Sequence, residues 1–342
     1  MPSRTEIVTA MSNEVCRRAT ELKGGDIIRK GTRVVQYSGG YTNVFPFVKK
    51  NGEKVAVRCW CADIDSAQER CHKISEYLKN DTSHYFVNFN YVKDAVLIAG
   101  ALHPVVIMDW VEGKTLKSYV SDKKPSRELF LDLAEKFRKM VEYLHTKNIS
   151  HGDLQHGNIM VRPDGSLALI DYDSMYIDGL DGFPDVIKGL PGYQHPARIN
   201  NRLLTPKADY FSELVIFLSL NIFAENPQLW YEYVDTEDLL FSRDDFANLK
   251  QSKLYKKYAK TTSHQIGTMM NAMLQMLAVK DINDLLPLEL ISAEMTPVVT
   301  SKMPSLDMQS IINKLDMMME AIELKRRLPS FDINTIISKL DF

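Results

Sequence analysis

Between residues 33 and 60 apolar and polar positions alternate, and turn residues interrupt the alternation twice. RVVQYSGGYTNVFPFVKKNGEKVAVRCW predicts three short strands, turning at Gly39-Gly40 and at Asn51-Gly52. Asn-Gly supplies the positive φ that a tight hairpin turn needs. From about Asp65 to Leu78 the period becomes helical, with Ala67, Cys71, Ile74 and Leu78 on one face. YFVNFNYV and AVLIAG predict a strand pair, and HPVVIMDWV is a sixth apolar run ending at Glu112-Gly113. After Lys114 the pattern changes. LFLDLAEKFRKMVEYLH carries apolar residues at helical spacing. ADYFSELVIFLSLNIF, from Ala208, is apolar nearly all round and predicts a buried helix. Further helices are expected around Leu249 to Tyr258 and Ser263 to Leu277. The outcome is an α+β chain: a small β-rich lobe and a larger α lobe, joined at about Asp109 to Gly113.

Two extensions flank these lobes. Arg4 to Leu22 reads as a polar helix ended by Gly24-Gly25. In the tail, MPSLDMQSIINKLD (303 to 316) recurs as LPSFDINTIISKLD (328 to 341). The repeat reads as two helix starts capped by Ser or Asp; a duplicated partner-docking motif is the alternative. The expected divisions are an N-terminal helical extension (1–25), a β lobe (26–110), an α lobe (111–285) and a helical tail (286–342).

A length of 342 residues suffices for one large or two medium domains. A net charge of -2 gives no electrostatic case for nucleic acid or an anionic membrane. No run approaches the ~18 apolar residues of a membrane span. The opening residues lack the apolar core of a signal peptide. Cys16, Cys59, Cys61 and Cys71 are the four cysteines, and with no signal they predict free thiols in the cytoplasm. Cys59, Cys61, Cys71 and His72 lack the paired knuckles of a zinc site.

The concentrated chemistry lies in HGDLQHGNIMV (151–161) and LIDYD (169–173). Taken singly, His151 reads as a packed histidine, and Asp153 and Asp171 read as turn or capping residues. Taken together they match the needs of phosphoryl transfer: a carboxylate beside the attacking hydroxyl, and oxygen ligands for Mg²⁺.

These motifs resemble those of the protein kinase superfamily. HGDLQHGN resembles the catalytic loop and IDYD the metal-binding turn. SGGYTNVF (38–45) resembles the glycine-rich phosphate loop, KVAVRCW the strand of the phosphate-binding lysine, and VIMDWVEG the hinge. GLPGYQHPA (189–197) resembles the end of an activation segment, and Asp209 with Ser212 matches the D-x-x-S of the buried helix. Seven elements in order, from roughly 33 to 222, are far more specific than any one motif. A-x-R-C, HGDLQHGN, DYD and YQHP-A-R resemble most a group of bacterial kinase-like proteins.

The resemblance implies a two-lobed fold and a cytoplasmic phosphotransferase using ATP and Mg²⁺. In that reading Asp153 positions the substrate hydroxyl, Asn158 and Asp171 hold the metal, and Arg58 holds phosphates. Gly39, Gly40, Val44, Ala56, Met108, Asp109, Val111 and Met160 would surround the nucleotide. The GLPGYQHP segment favours a protein Ser or Thr as substrate. A nucleotide-binding pseudokinase scaffold is the alternative, and nucleotidyl transfer on the same fold a second one. The repeat at 303–341 is a candidate docking element for a partner.

Several positions depart from the family pattern. Arg58 stands for the strand lysine, with a longer planar fork. Its usual helix partner is a Glu, and Glu69 and Glu76 are the candidates. Only Gly39 and Gly40 remain in the glycine loop. Gly152 replaces the arginine before the catalytic Asp, so control by an activation-loop phosphate is not expected. Asp173 replaces the metal-loop glycine. Ala197 replaces an acid, so the usual ion pair there is expected to be missing. Tyr193 is expected to pack beneath the substrate segment.

Overall fold

The computed structural model describes residues 1–63, 66–261 and 263–293. The repeat at 303–341 lies outside the described residues, as does Asp65. An antiparallel six-stranded sheet is built around Thr42–Val48, Lys54–Trp60, Ala101–Asp109 and Phe89–Ile98, in that spatial order. Short strands at Asp26–Ile27 and Tyr37–Ser38 pair with Thr42–Val48. Alternation then assigns the two faces. Val55, Val57 and Cys59 join a core with Phe45, Phe47 and the N-terminal Ile7, Ala10 and Met11. Ala56 and Trp60 enter the other core, with Ile74 and Leu78 of the helix Ala67–Leu78. Arg58, between Ala56 and Trp60, therefore belongs to the face that looks toward the α lobe.

Three expected elements differ. The N-terminal helix is short, Arg4–Met11, and is followed by 3-10 turns at Glu14–Cys16 and Thr20–Leu22. The reason is tertiary. Buried Arg17 takes the Met11 carbonyl at 2.7 Å and the Gly25 carbonyl at 2.7 Å, and the Asn13 side chain caps the next turn. The runs YFVNFNYV and AVLIAG do not pair with each other. They are largely one strand, Phe89–Ile98, with a register irregularity between Val92 and Val96 and a positive φ at Asp94. The expected helix at 249–258 is a 3-10 turn and then Lys253–Tyr258, because Ser252 caps a new start.

In the α lobe, the helix Arg127–Thr146 buries Phe130, Leu133, Ala134, Phe137, Val141 and Leu144. The helix Tyr210–Glu225 is buried from Phe211 to Ala224, as its all-round apolarity requires. The helix Leu288–Ala293, which the sequence assigns to the tail, packs into the same core through Leu288 and Ile291. A three-stranded sheet, Leu167–Leu169, Ile159–Val161 and Lys114–Thr115, floors the cleft. No helix among the described residues is long and apolar enough to cross a membrane.

One buried charge cluster joins three helices. His145 Nε2 lies 2.9 Å from Glu213, and Nδ1 lies 2.6 Å from Glu289. Burial opposes a charged imidazole, but the two carboxylates outweigh it and raise His145 to about 10. Burial raises Glu213 to about 7. Both shifts mean that the folded chain binds more protons than the unfolded one, so stability falls as pH rises. The His145 contribution is complete below ~6.5 and is lost towards about 10. The thermal midpoint should fall more steeply over that window in the native chain than in His145→Gln. Parallel slopes would contradict this account.

Candidate active site

The Ile159–Val161/Leu167–Leu169 hairpin sets the geometry. Its register pairs Ile159 with Leu169, and Ile170 N–H donates to the Asn158 carbonyl at 3.0 Å. Asn158 and Asp171 are neighbours for that reason, although distant in sequence. Tyr172 is fully buried beside Phe86 and Phe89, and its hydroxyl bonds the Leu169 carbonyl at 2.8 Å. With Tyr172 turned inward, Asp171 and Asp173 both face the opposite side. There they meet Arg58: Asp171 Oδ1 lies 3.3 Å from Nη1, and Asp173 pairs with Nη2. Asp171 holds a left-handed φ of 67°, strain of the kind that clusters at functional sites.

The 151–158 loop is gripped from below. The buried Asp209 carboxylate accepts the backbone N–H groups of His151 and Gly152, the latter at 2.9 and 3.1 Å. No cap bond is made by its side chain. His151 is fully buried and its Nε2 lies 2.9 Å from the Ile170 carbonyl oxygen, so it ties the two loops together. Gly152 has φ 77°, and a Cβ there would sit 2.1 Å from the Ser174 carbonyl oxygen. No arginine fits at that position.

Asn158 donates to the Asp153 carbonyl at 2.8 Å and to its Oδ2 at 3.0 Å. Asp153 Oδ1 accepts the Leu190 N–H at 3.2 Å, and a Cβ on Gly189 would come within 2.5 Å of it. The 189–198 segment thus lies directly on Asp153. Burial pushes the Asp153 carboxyl above its ordinary range, and the charge of Asp171 adds to the shift while that of His151 opposes it.

A family model described as the protein kinase domain matches residues 38–283. Among relatives, a probable serine/threonine-protein kinase, mkcD, of Dictyostelium discoideum is 29% identical over 31% of this chain. The dual specificity testis-specific protein kinase 1 of Homo sapiens is 28% identical over 35%. The serine/threonine-protein kinase STE20 of Saccharomyces cerevisiae is 23% identical over 66%. The matches span 16%, 20% and 23% of those relatives' own lengths.

The chain belongs to the protein kinase family. Its two-lobed α+β fold is that of the family.

As a kinase it is built unusually in places that sequence reasoning missed or misjudged. Neither Glu69 nor Glu76 pairs with Arg58: Glu69 lies 4.0 Å from Lys73, and Glu76 pairs with Lys79. Both glutamates face outward, because the inner face of their helix carries Ala67, Arg70, Cys71, Ile74 and Leu78. The glycine loop is thin, with Gly39 N–H donating to the Thr42 carbonyl at 3.0 Å. Arg4, from the N-terminal helix, bonds the carbonyls of Gly39 and Gly40. Ala56 pairs with Met108 and Val44 with Arg58 in the sheet, while Met160 comes from the floor hairpin. Asp109 Oδ2 accepts from Asn88 at 2.6 Å. A groove of about 610 Å³ opens where Asp109 to Glu112 meet Leu78 and Arg162, but it contains none of Arg58, Asp153 and Asp171.

An ion pair does anchor the segment that resembles the end of an activation segment, with different residues. Arg198, 1% exposed, bridges to Asp185 with both carboxylate oxygens at 3.2 Å and also bonds the Gly152 carbonyl. The signal was the arginine next to Ala197; its partner, on the far side of a loop, had none. Tyr193 is fully buried with its hydroxyl on His156, and His195 Nε2 lies 2.8 Å from the Met276 carbonyl oxygen. Asp185→Asn leaves a buried guanidinium without its counter-charge, which should cost about 3 kcal/mol in denaturant unfolding. A loss under ~1 kcal/mol, the worth of a surface pair, would contradict a buried anchor.

Proposed function

We propose that this kinase transfers the γ-phosphoryl group of ATP, with Mg²⁺, to a serine or threonine of a protein. The observation that carries the reading is the convergence of Asp153, Asn158, Asp171 and Arg58 on one side of the floor hairpin. The residues fit the groups this chemistry needs. Asp171 is a half-exposed carboxylate, and Asn158, whose amide nitrogen is engaged on Asp153, offers its oxygen. Oxygen donors of this kind suit Mg²⁺. Arg58 is 2% exposed, and its Nε and Nη1 have no hydrogen-bond acceptor among the described residues. Buried donors of this sort call for an acceptor, and phosphate oxygens supply one.

Bound Mg·ATP supplies the phosphoryl group and the charge that neutralises it in transit. The chain's own residues do the positioning. Asp153 receives the substrate hydroxyl through the remaining lone pairs of its oxygens, and its raised pKa favours taking the proton. Asn158 fixes the orientation of that carboxylate. Val44, Ala56, Met108 and Met160 form the apolar walls for adenine, with Asp109 to Val111 at its polar edge. The 189–198 segment, seated on Asp153, presents the protein substrate. The relatives' description as serine/threonine kinases supports the choice of hydroxyl.

The rival reading, a nucleotide-sensing pseudokinase, draws on one observation: both Asp153 oxygens already accept bonds within the chain, and the charge of Arg58 already faces Asp171 and Asp173. The two readings part in one experiment. Purified protein with Mg²⁺ and γ-labelled ATP should label itself or a generic protein substrate. Asp171→Ala should abolish transfer. Asp153→Asn should lower kcat by roughly 10²- to 10⁴-fold while nucleotide still binds. Nucleotide binding without transfer would favour the pseudokinase. Absence of Mg²⁺-dependent nucleotide binding would sink both.

A further inference from the structure

Arg58 is a buried cation, and a buried cation needs a fixed counter-charge. The helix Ala67–Leu78 does not provide it. The side chains of Glu69 and Glu76 are 62% and 55% exposed and turned to lysines. The charged residue which that helix buries is a second cation, Arg70, 2% exposed, whose Nη1 donates to the Pro184 carbonyl at 3.4 Å. The carboxylates that do meet Arg58 belong to the 171–173 turn: Asp171 beside Nη1, and Asp173, only 15% exposed, paired with Nη2.

We propose that Asp173 is the positioning residue for Arg58, so that the metal-binding loop, and not the helix, orients the phosphate-holding cation. The proposal rests on the kinase reading given above. Asp173 grips Nη2, while Nε and Nη1 have no hydrogen-bond acceptor among the described residues. The planar guanidinium means that fixing one nitrogen fixes the direction of the others. Asp171 lies near Nη1 at 3.3 Å but is the carboxylate that a metal would claim. A cation at Asp171 then draws that charge away from Arg58, and Asp173 retains the guanidinium. Without Asp173, Arg58 and Mg²⁺ compete for Asp171. Phosphate site and metal site are thereby coupled through two residues of a single loop.

Three readouts test this: the Kd for Mg·ATP, the split between KM and kcat, and the Mg²⁺ concentration for half-maximal binding. Asp173→Asn should weaken Mg·ATP binding about tenfold, the worth of one charge-assisted contact, and raise the Mg²⁺ requirement. The effect should fall on KM for ATP more than on kcat. Asp173→Glu should recover part of the loss, which a merely structural role would not predict. Glu69→Gln and Glu76→Gln should change the Kd by less than about twofold, as exposed ion pairs do. An unchanged Kd in Asp173→Asn, or an equal loss in either glutamate variant, overturns the proposal and leaves the kinase reading standing. If the native chain binds no nucleotide, the kinase reading falls. A double-mutant cycle on unfolding midpoints, Arg58→Gln with Asp173→Asn, then decides: additive shifts overturn the pairing, and non-additive shifts uphold it.

Discussion

A carboxylate buried at the start of an apolar helix holds this candidate site together. Asp209 is 1% exposed, and it receives the backbone N–H groups of His151 and Gly152. Left unpaired there, two buried donors and a buried charge would each be costly. Paired, they tie the 151–158 loop to the helix Tyr210–Glu225, which is buried in the core from Phe211 to Ala224. Everything above depends on that grip. Asp153 follows Gly152 directly, Asn158 orients Asp153, and the floor hairpin brings Asp171 alongside. Arg198 adds a second tie by bonding the Gly152 carbonyl, so the 189–198 segment and the 151–158 loop share one buried polar network.

Charge is distributed here in a way the family pattern does not anticipate. The family arrangement links a strand cation to a helix glutamate and so makes helix position a condition for activity. In this chain the strand cation meets two carboxylates of the 171–173 turn, while the helix contributes Arg70. Replacing lysine by arginine and glycine by Asp173 then reads as one linked change. A longer, planar cation reaches across the cleft, and a second acid receives it. Gly152 belongs to the same economy. Ser174 leaves no space for a side chain there, so an arginine that would sense an activation-loop phosphate has no place.

Much of the fold was legible because it rests on period. The helices Arg127–Thr146 and Tyr210–Glu225, the strand Lys54–Trp60 and the turns at Gly39-Gly40 and Asn51-Gly52 are local patterns that packing reinforces. The site's cast was legible for another reason: HGDLQHGN and LIDYD are contiguous and lie in a recognisable order. What was missed was tertiary and polar. Nothing local marks Met11 as a helix end, because Arg17, which takes its carbonyl, and Gly25, which holds Arg17 from the other side, lie further along the chain. Asp173 was visible as a departure from glycine, but its pairing with Arg58 depends on Tyr172 turning inward. The Arg198–Asp185 bridge joins residues whose spacing follows no helix or strand period.

The central claim is that Arg58 serves as the phosphate-holding cation of a working kinase. The most direct measurement compares γ-phosphate transfer by the native chain and by Arg58→Met, at saturating Mg²⁺ and over a range of ATP concentrations. The account predicts transfer by the native chain, and a collapse of kcat/KM for ATP in the variant. Equal transfer by both, or transfer by neither, would contradict it.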